Sequence, residues 1–538
     1  MDQENTIKGR KYNRDHIIAV FLCIVIFVLG CMNLDNNCNW GDDFAAYLID
    51  GIAIAEGRYE EQTKLNVILR SGKLLDKQTE HVHVFGYPLL HALIYSLFGF
   101  DKTDYSNIIL YKLPSLIALS IMSGVYFLFL RKRFGREISA PMTLALCADM
   151  TLHNEIRNLC SDILFLSLTM CSFHFMELYL EKPFGRKRCI MGMFLGLLLW
   201  YCYSVRLNGI VAVICVFLAQ FLWLVRQRTN FRASELIPLG SFLILYLVFN
   251  RLVFPLPTST SSISDMSISG FLDGTEYYLD QIHTWARHFI EIVLKVPVKL
   301  TALVLYRVIN TPLIYTVNRA ENFIYRQVFD FLAALIMPFP IIGIVTEGIK
   351  KEVHIVIFIL VSFAGTAALN LGQEIRYLYV ILPFLLMYAA HGVKWIHGLW
   401  VKKSRAGRKH SILLYSALIY ALCVFSVVPI VKYGLSNIRV FGRDNSTAYS
   451  HGAVQVYNYI QSELDEDDTI AFFKPRALYL NTGRVSLLPQ EGGFKITDAD
   501  YYLCYLPNDE RYLTEELEDI YEPCFENYEF ILYRKNEW

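Results

Sequence analysis

The chain has 538 residues, of which 54% are hydrophobic and 14% aromatic, and its mean hydropathy is +0.35. Only 19% of the residues are charged, and apolar runs of bilayer length recur, which excludes a soluble globular protein and indicates a polytopic membrane protein. The formal net charge is +0 and the sequence shows no basic stretch typical of nucleic-acid binding, so no nucleic-acid partner is expected.

Apolar runs predict roughly eleven membrane crossings. The first run follows a basic start. Because no small-x-small cleavage site comes after it, we interpret it as a retained span and not as a signal peptide. The predicted crossings are 17–34, 106–130, 138–153, 159–180, 189–205, 208–225, 235–254, 328–347, 354–371, 377–394 and 411–432.

Basic residues between these runs predict the orientation of the chain. If the N-terminus is cytoplasmic, every predicted inner connection is basic, from Arg131-Lys132-Arg133 to the stretch between Lys394 and Lys409. The short outer connections at 154–158 and 206–207 hold one arginine each. An odd number of crossings then places the C-terminal domain on the extracytoplasmic side.

The first long outer loop, at about 35–105, contains a predicted short helix at 39–57 that has one apolar face. Two adjacent carboxylates, on Asp42 and Asp43, stand at its entrance. Acidic groups at this depth are costly unless they have a partner or a function. A capping role for Asp42 and a favourable interaction of Asp43 with the helix dipole are equally open at this point. The apolar face consists of Phe44, Leu48 and Ile52.

A second long outer loop, at about 255–327, carries the apolar stretch 288–314, which prolines interrupt. We interpret this stretch as interfacial, and a hairpin that enters the membrane stays open. After residue 433 the charge rises and the apolar runs shorten, so the sequence predicts a transmembrane domain, 1–432, and a small α/β domain, 433–538. The predicted strands of that domain are 469–473, 501–506 and 529–533, and the predicted helices are 454–464 and 475–480.

Charged side chains gather at the predicted outer ends of the spans, where a charge must reach water, find a partner or serve a function. Each of them alone is at least as well explained by a structural role. Together they put carboxylates and arginines at one level beside the long loops, as an outward-facing site for a charged lipid head group requires. These residues are Asp42, Asp43, Glu155, Arg157, Asp162, Arg206, Glu374 and Arg376.

The order of these motifs resembles the GT-C superfamily of integral-membrane glycosyltransferases, especially the branch of protein O-mannosyltransferases and the lipid A aminoarabinose transferase. Members carry an acidic motif followed by a tyrosine, a Pro-Leu element, a span that opens on an acidic residue, an arginine after the fifth span and a late Arg-Tyr pair. The matching stretches here are Asp42-Asp43-Phe44-Ala45-Ala46-Tyr47, Gly86-Tyr87-Pro88-Leu89-Leu90, Ser161-Asp162-Ile163-Leu164-Phe165, Arg206-Leu207-Asn208-Gly209 and Arg376-Tyr377. Family motifs often have Asp-Glu where this chain has Asp-Asp.

The resemblance implies a hexosyl- or pentosyltransferase that uses a polyprenyl-phosphate donor at the outer face of the cytoplasmic membrane. The leaving phosphate needs cationic stabilisation, and the acceptor hydroxyl needs a carboxylate that takes its proton. A single displacement would invert the anomeric centre. Asp43 is the expected base, since a tyrosine follows it by four residues as in the aminoarabinose branch, and Asp42 is the second choice. The other expected residues are Arg206, Arg376, Tyr377 and Arg157 for the donor phosphate, Asp162 for a metal ion or for support, and Tyr47, Tyr87 and His83 for the acceptor or sugar pocket.

Cofactors and rival functions are less constrained by the sequence. No CxxC or Cys/His spacing indicates a metal site, and the pair His81 and His83 is better explained by a polar loop than by a metal site. No cofactor is certain, and a divalent cation stays open. The expected acceptor is a glycan, a lipid or a protein. A transporter or lipid flippase is the main alternative, although the two halves show no repeat and the charges gather at one surface and not at mid-bilayer. A non-catalytic scaffold for envelope assembly is the other alternative.

Overall fold

A computed structural model describes most of the predicted spans and the C-terminal region. The described residues are 2–41, 43–71, 84–100, 107–183, 185–227, 233–254, 338–368, 375–403, 420, 423–424, 426–437, 447–488, 496–506 and 519–536. Several predictions therefore lie outside the described residues, namely the roles of Asp42 and His83, the loop 255–327 and its apolar stretch 288–314.

Helices make up most of the described structure. π-helical turns extend two of them, Tyr246–Val253 after α11 and Ile344–Gly348 after α12, and a 3-10 segment, Ile375–Ile381, leads into α14. In chain order the helices are α1 (Asp2–Asn33), α2 (Asp43–Ala55), α3 (Tyr59–Ser71), α4 (Gly86–Phe98), α5 (Ile108–Arg131), α6 (Arg136–Cys147), α7 (Met150–Arg157), α8 (Asp162–Glu181), α9 (Arg186–Val205), α10 (Gly209–Gln227), α11 (Ile237–Leu245), α12 (Pro338–Gly343), α13 (Val353–Ala368), α14 (Leu382–Lys403), α15 (His451–Glu463) and α16 (Pro475–Thr482).

Six helices in the described part of the chain are long and apolar enough to cross a membrane. They match six predicted crossings, while the total of roughly eleven stays a prediction. The polytopic helical class is confirmed. The six segments are Arg14–Asn33, Ile108–Arg131, Asp162–Glu181, Arg186–Val205, Gly209–Arg226 and Arg376–Leu399.

The predicted crossing 138–153 is divided in the structure into α6 and α7. The reason is local, because Asp149 lies between them in extended conformation and its side chain accepts a hydrogen bond from the Thr151 N–H at 2.8 Å. Asp149 is thus the N-cap of α7. The predicted crossing 138–153 is therefore interrupted at this cap, which the apolar pattern does not reveal.

Close backbone contacts bring α2, α4 and α9 together. At Gly51 of α2, an added Cβ would lie only 2.7 Å from the His91 Cβ of α4. At Gly86, the first residue of α4, an added Cβ would collide with the Ser204 carbonyl near the end of α9. The absence of a side chain at both positions therefore lets α4 pack directly against its two neighbours.

A five-stranded sheet forms the core of the C-terminal region. Its order is β2-β1-β3-β5-β4, in which β1 pairs in parallel with β2 and β3, while β5 pairs antiparallel with β3 and β4. The sequence predicted β1, β3 and β5, but not β2 and β4. The strands are β1 (Ile470–Ala471), β2 (Ser486–Leu487), β3 (Tyr501–Tyr505), β4 (Tyr521–Glu526) and β5 (Phe530–Lys535).

Helix α2 packs against this C-terminal region. A single buried apolar cluster joins Phe44 and Leu48 of α2 to Tyr457 of α15 and to Leu503 and Phe530 of the sheet. Tyr47, on another face of α2, belongs to the cluster formed by the spans. The first-loop helix therefore lies between the spans and the sheet, and its position depends on both.

Asp50 is a buried acid on the same helix. Its side chain is 1% exposed, and its Oδ1 accepts a hydrogen bond from Asn66 Nδ2 at 3.1 Å. Its Oδ2 is buried without a hydrogen-bond partner among the described residues. Burial raises the pKa of the Asp50 carboxyl from 3.8 to about 7, against the opposing effects of Asn66 and Arg476.

The raised pKa makes stability depend on pH. The folded chain keeps Asp50 protonated up to about pH 7, whereas the unfolded chain ionises it near 3.8, so the free energy of unfolding falls as pH rises between these values. We expect Asp50→Asn to raise thermal stability at pH 8, by roughly a few kcal/mol, and to have little effect at pH 4. Thermal unfolding in one detergent, with the exposed Asp467→Asn as control, measures this. An equal effect of Asp50→Asn at both pH values would contradict it.

Candidate active site

Asp43 is the first residue of α2 and forms an ion pair with Arg376. The Asp43 Oδ2 lies 2.7 Å from the Arg376 Nη1. Arg376 belongs to the 3-10 segment before α14, so the pair joins the first loop to a late span. The two side chains keep 31% and 20% of their surface exposed, and this ion pair is therefore open to solvent on one side.

Arg206 forms the second ion pair, with Asp162. Nη1 and Nη2 of Arg206 donate to the two carboxylate oxygens of Asp162 at 2.6 and 3.2 Å, and Nε donates to the Ser161 Oγ at 3.1 Å. Asp162 begins α8 after a tight turn in which the buried Leu159 has a φ of 54°, a left-handed conformation uncommon for leucine. Burial opposes the charge of Arg206, but Asp162 outweighs this effect and the pKa of Arg206 is raised.

Tyr377 connects the two ion pairs. The guanidinium carbons of Arg206 and Arg376 lie 5.1 and 5.3 Å from the centre of its ring. An aromatic face attracts cations at such distances. Two arginines therefore meet at one tyrosine ring, each paired with a carboxylate, and the five residues Asp43, Asp162, Arg206, Arg376 and Tyr377 are called the charged cluster below.

Tyr47 and Tyr87 lie behind the charged cluster in the packed interior. The Tyr47 hydroxyl is 2.8 Å from the Ser161 Oγ, and the two tyrosine rings meet edge to face at 4.9 Å. They are 3% and 0% exposed, and burial raises the pKa of the Tyr47 phenol well above its usual range. Their predicted contact with an acceptor or a sugar stays a prediction, while their visible contacts support Ser161 and α4.

Arg157 lies in a different group of charges from the charged cluster. Its Nε donates to Asp35 Oδ2 at 3.1 Å, and its guanidinium lies 4.8 Å from the centre of the Tyr433 ring. Asp35 also pairs with Lys112, which is fully buried, at 3.3 Å. The sequence analysis missed Asp35 and Lys112, although a lysine within an apolar run is a signal for a buried partner.

Asp162 bears on the question of a metal ion. Its two carboxylate oxygens both face Arg206, so an ion bound there would have to displace that arginine. Among the residues that the structure describes, no three or more His, Cys, Asp or Glu side chains form a group that could hold a metal. The two hydrogen bonds to Arg206 are consistent with the predicted support of Arg206 by Asp162, and the predicted role of Asp162 at a metal ion stays a prediction.

The fold and the charged cluster define a polytopic helical membrane protein whose charged residues meet at one end of its spans. Comparison of the sequence with protein-family models and with curated proteins gives no match. Comparison of the structure with solved structures does give matches. ArnT from Cupriavidus metallidurans, bound to undecaprenyl phosphate, has a similar structure with a TM-score of 0.51 at 12% identity, over 96% of this chain and 97% of that chain.

Two archaeal structures are similar as well. The oligosaccharyltransferase AglB from Archaeoglobus fulgidus, in complex with an inhibitory peptide and a dolichol-phosphate, has a TM-score of 0.51 at 11% identity, over 92% of this chain and 70% of that chain. The Archaeoglobus fulgidus oligosaccharyltransferase in complex with Zn and sulfate has a TM-score of 0.52 at 11% identity, over 91% of this chain and 68% of that chain. This chain therefore has the GT-C fold, and the resemblance predicted from the motifs is confirmed at the level of the fold.

The two ion pairs differ in burial, which predicts different stability effects. We expect Asp162→Ala to lower the free energy of unfolding by about 3–5 kcal/mol, because it removes a buried carboxylate, 2% exposed, and leaves Arg206, which is only 15% exposed, without its counter-charge. Asp43→Ala removes a partly exposed carboxylate and should cost about 1 kcal/mol or less. Thermal unfolding of both variants in one detergent tests this, and equal losses would contradict the assignment of Asp162 as the support of Arg206.

Proposed function

We propose that the protein is a membrane glycosyltransferase that transfers a hexosyl or pentosyl group from a polyprenyl-phosphate donor to an acceptor hydroxyl group. The charged cluster carries this proposal, above all the partly exposed pair of Asp43 and Arg376. It combines a carboxylate for the acceptor with two cations for the donor phosphate. The shared fold with ArnT bound to undecaprenyl phosphate and with AglB bound to a dolichol-phosphate supports a lipid-linked donor.

The reaction is a single displacement with inversion. The acceptor oxygen forms a bond to the anomeric carbon while the bond from that carbon to the phosphate oxygen breaks. The electron pair stays on the departing polyprenyl phosphate, and Arg376 and Arg206 stabilise the added negative charge. The hydroxyl proton passes to Asp43, which is the proposed general base, and Asp42 is the second choice.

Exchange of partners at Arg376 couples donor binding to this proton transfer. A carboxylate paired with a guanidinium is a weak base, because the positive charge stabilises its ionised form. A donor phosphate that binds Arg376 would draw the guanidinium away from Asp43, which then turns to the acceptor. Arg206 is held by Asp162 and Ser161 and serves in this scheme as a fixed cation beside the mobile one.

The other predicted residues have supporting functions in this proposal. Tyr377 orients the two guanidinium groups, and Asp162 holds Arg206 in place of a metal ion. Tyr47 steadies Ser161 from the interior. Arg157 fixes Asp35 at the start of the first loop, and this contact supports a structural role for Arg157. The charged cluster and the sheet are proposed to face the extracytoplasmic side.

Asp43→Asn tests the proposed catalysis. In proteoliposomes that contain a panel of undecaprenyl-phosphate sugars and native membrane extract as acceptor, we expect release of undecaprenyl phosphate to fall about 100-fold or more. Asp467→Asn, the same change at an exposed position, should retain activity. Normal transfer by Asp43→Asn would contradict the assignment. If the unsubstituted protein moves the lipid across the bilayer and transfers no sugar, the protein is a flippase.

Competition between Asp43 and phosphate for Arg376 predicts opposite effects on binding. We expect Asp43→Asn to tighten binding of undecaprenyl phosphate, by about tenfold or about 1.4 kcal/mol, since Arg376 loses its competing counter-charge. Arg376→Gln should weaken the same binding. Isothermal titration in detergent measures both, with Asp467→Asn as control. Weaker binding by Asp43→Asn would contradict the partner exchange.

A further inference from the structure

Trp40, three residues before Asp43, packs into the C-terminal sheet. Its indole ring lies 5.8 and 5.4 Å from the rings of Phe472 and Phe473, which follow β1 directly. It lies 5.4 Å from Tyr505 of β3 and 5.9 Å from Phe530 of β5. Four aromatic rings, two from β3 and β5 and two from the residues that follow β1, therefore surround the Trp40 side chain, and they are called the aromatic box below.

Hydrogen bonds attach the same segment to the C-terminal region. The Cys38 carbonyl accepts from the Ala448 N–H at 3.0 Å, and the Asn37 Oδ1 accepts from the Thr447 hydroxyl at 3.0 Å. From the opposite side, Lys112 of α5 donates to the Asn37 carbonyl at 2.6 Å. Residues 35–40 thus bridge a span and the sheet, and both determine where α2 begins.

The two members of the open ion pair are consequently positioned by different parts of the molecule. Arg376 belongs to the segment that enters a span, whereas Asp43 follows Trp40 by only three residues, a reach of about 10 Å at most. A displacement of the aromatic box would therefore reach Asp43 more directly than it reaches Arg376. Proton transfer is sensitive to such errors, since a shift of about 1 Å can cost about 100-fold in rate.

We propose that Trp40 is a positioning residue through which the C-terminal sheet holds the carboxylate of Asp43 opposite the guanidinium group of Arg376. The catalytic part of this inference, which is that Trp40 affects proton transfer at Asp43, rests on the proposed function. The mechanical part, which is that the aromatic box immobilises the start of the first loop, is independent of any activity. The two parts can be tested separately in the full chain.

Hydrogen–deuterium exchange tests the mechanical part. Phe473→Ala removes one wall of the aromatic box without touching the charged cluster, and we expect amide exchange in residues 35–44 to accelerate about tenfold. Tyr533→Ala is the matched control, because Tyr533 stacks on Tyr502 at 6.1 Å in the separate cluster on the other face of the sheet. Unchanged exchange in Phe473→Ala, or equal acceleration in the control, would overturn the proposal.

Transfer kinetics test the catalytic part. We expect Trp40→Ala and Phe473→Ala to lower kcat by roughly 10- to 100-fold with little change in the KM for an undecaprenyl-phosphate sugar, while Trp40→Phe restores most of the rate. In the Asp43→Asn background, Trp40→Ala should cause no further loss, because it acts through Asp43. Additive losses, or normal kcat despite faster amide exchange, would overturn the positioning role. If Phe473→Ala accelerates exchange but the unsubstituted protein transfers no sugar, the mechanical part is retained and the proposed function is refuted.

Discussion

Charge compensation at the end of the apolar helices is the constraint on which the site depends. Ionised groups beside a membrane interior are costly, and the structure meets this cost by placing two carboxylates against two arginines. The pair of Asp162 and Arg206 is closed by two direct hydrogen bonds and a third to Ser161. The pair of Asp43 and Arg376 keeps a solvent-accessible side. One pair is therefore nearly closed to solvent, and the other is the pair for which we propose exchange with an anionic ligand.

The position of helix α2 is fixed by two hydrophobic cores, because different faces of the helix pack into each of them. Phe44 and Leu48 pack with the C-terminal sheet, whereas Tyr47 packs with the spans. A helix of 13 residues in water would be marginal on its own, so its start is defined only where both cores are present. The position of the Asp43 carboxylate, at the start of this helix, therefore depends on the packing of both cores.

The sequence predicted the spans and the site motifs better than it predicted their pairing. Apolar run length identifies a span directly, and the order of short motifs was enough to indicate the GT-C fold. The split at Asp149 was missed, because a single polar cap within an apolar run has little weight in a window of bilayer length. The expected contact of Arg157 with the donor phosphate stays a prediction, while its described partner, Asp35, is set by tertiary packing that sequence spacing does not reveal. For the same reason the packing of Trp40 could not be predicted, since the rings around it come from distant parts of the C-terminal region.

The bridge between residues 37–38 and residues 447–448 also bears on the order of events during synthesis. Asp162 and Arg206 can meet once α8 and α9 have inserted, well before translation ends. The loop that carries Asp43 has to wait for Arg376, and later still for Phe530, before its contacts exist. A nascent chain that has inserted only its first spans can therefore hold the pair of Asp162 and Arg206, whereas Asp43 lacks its described contacts until the segments with Arg376 and Phe530 have been synthesised.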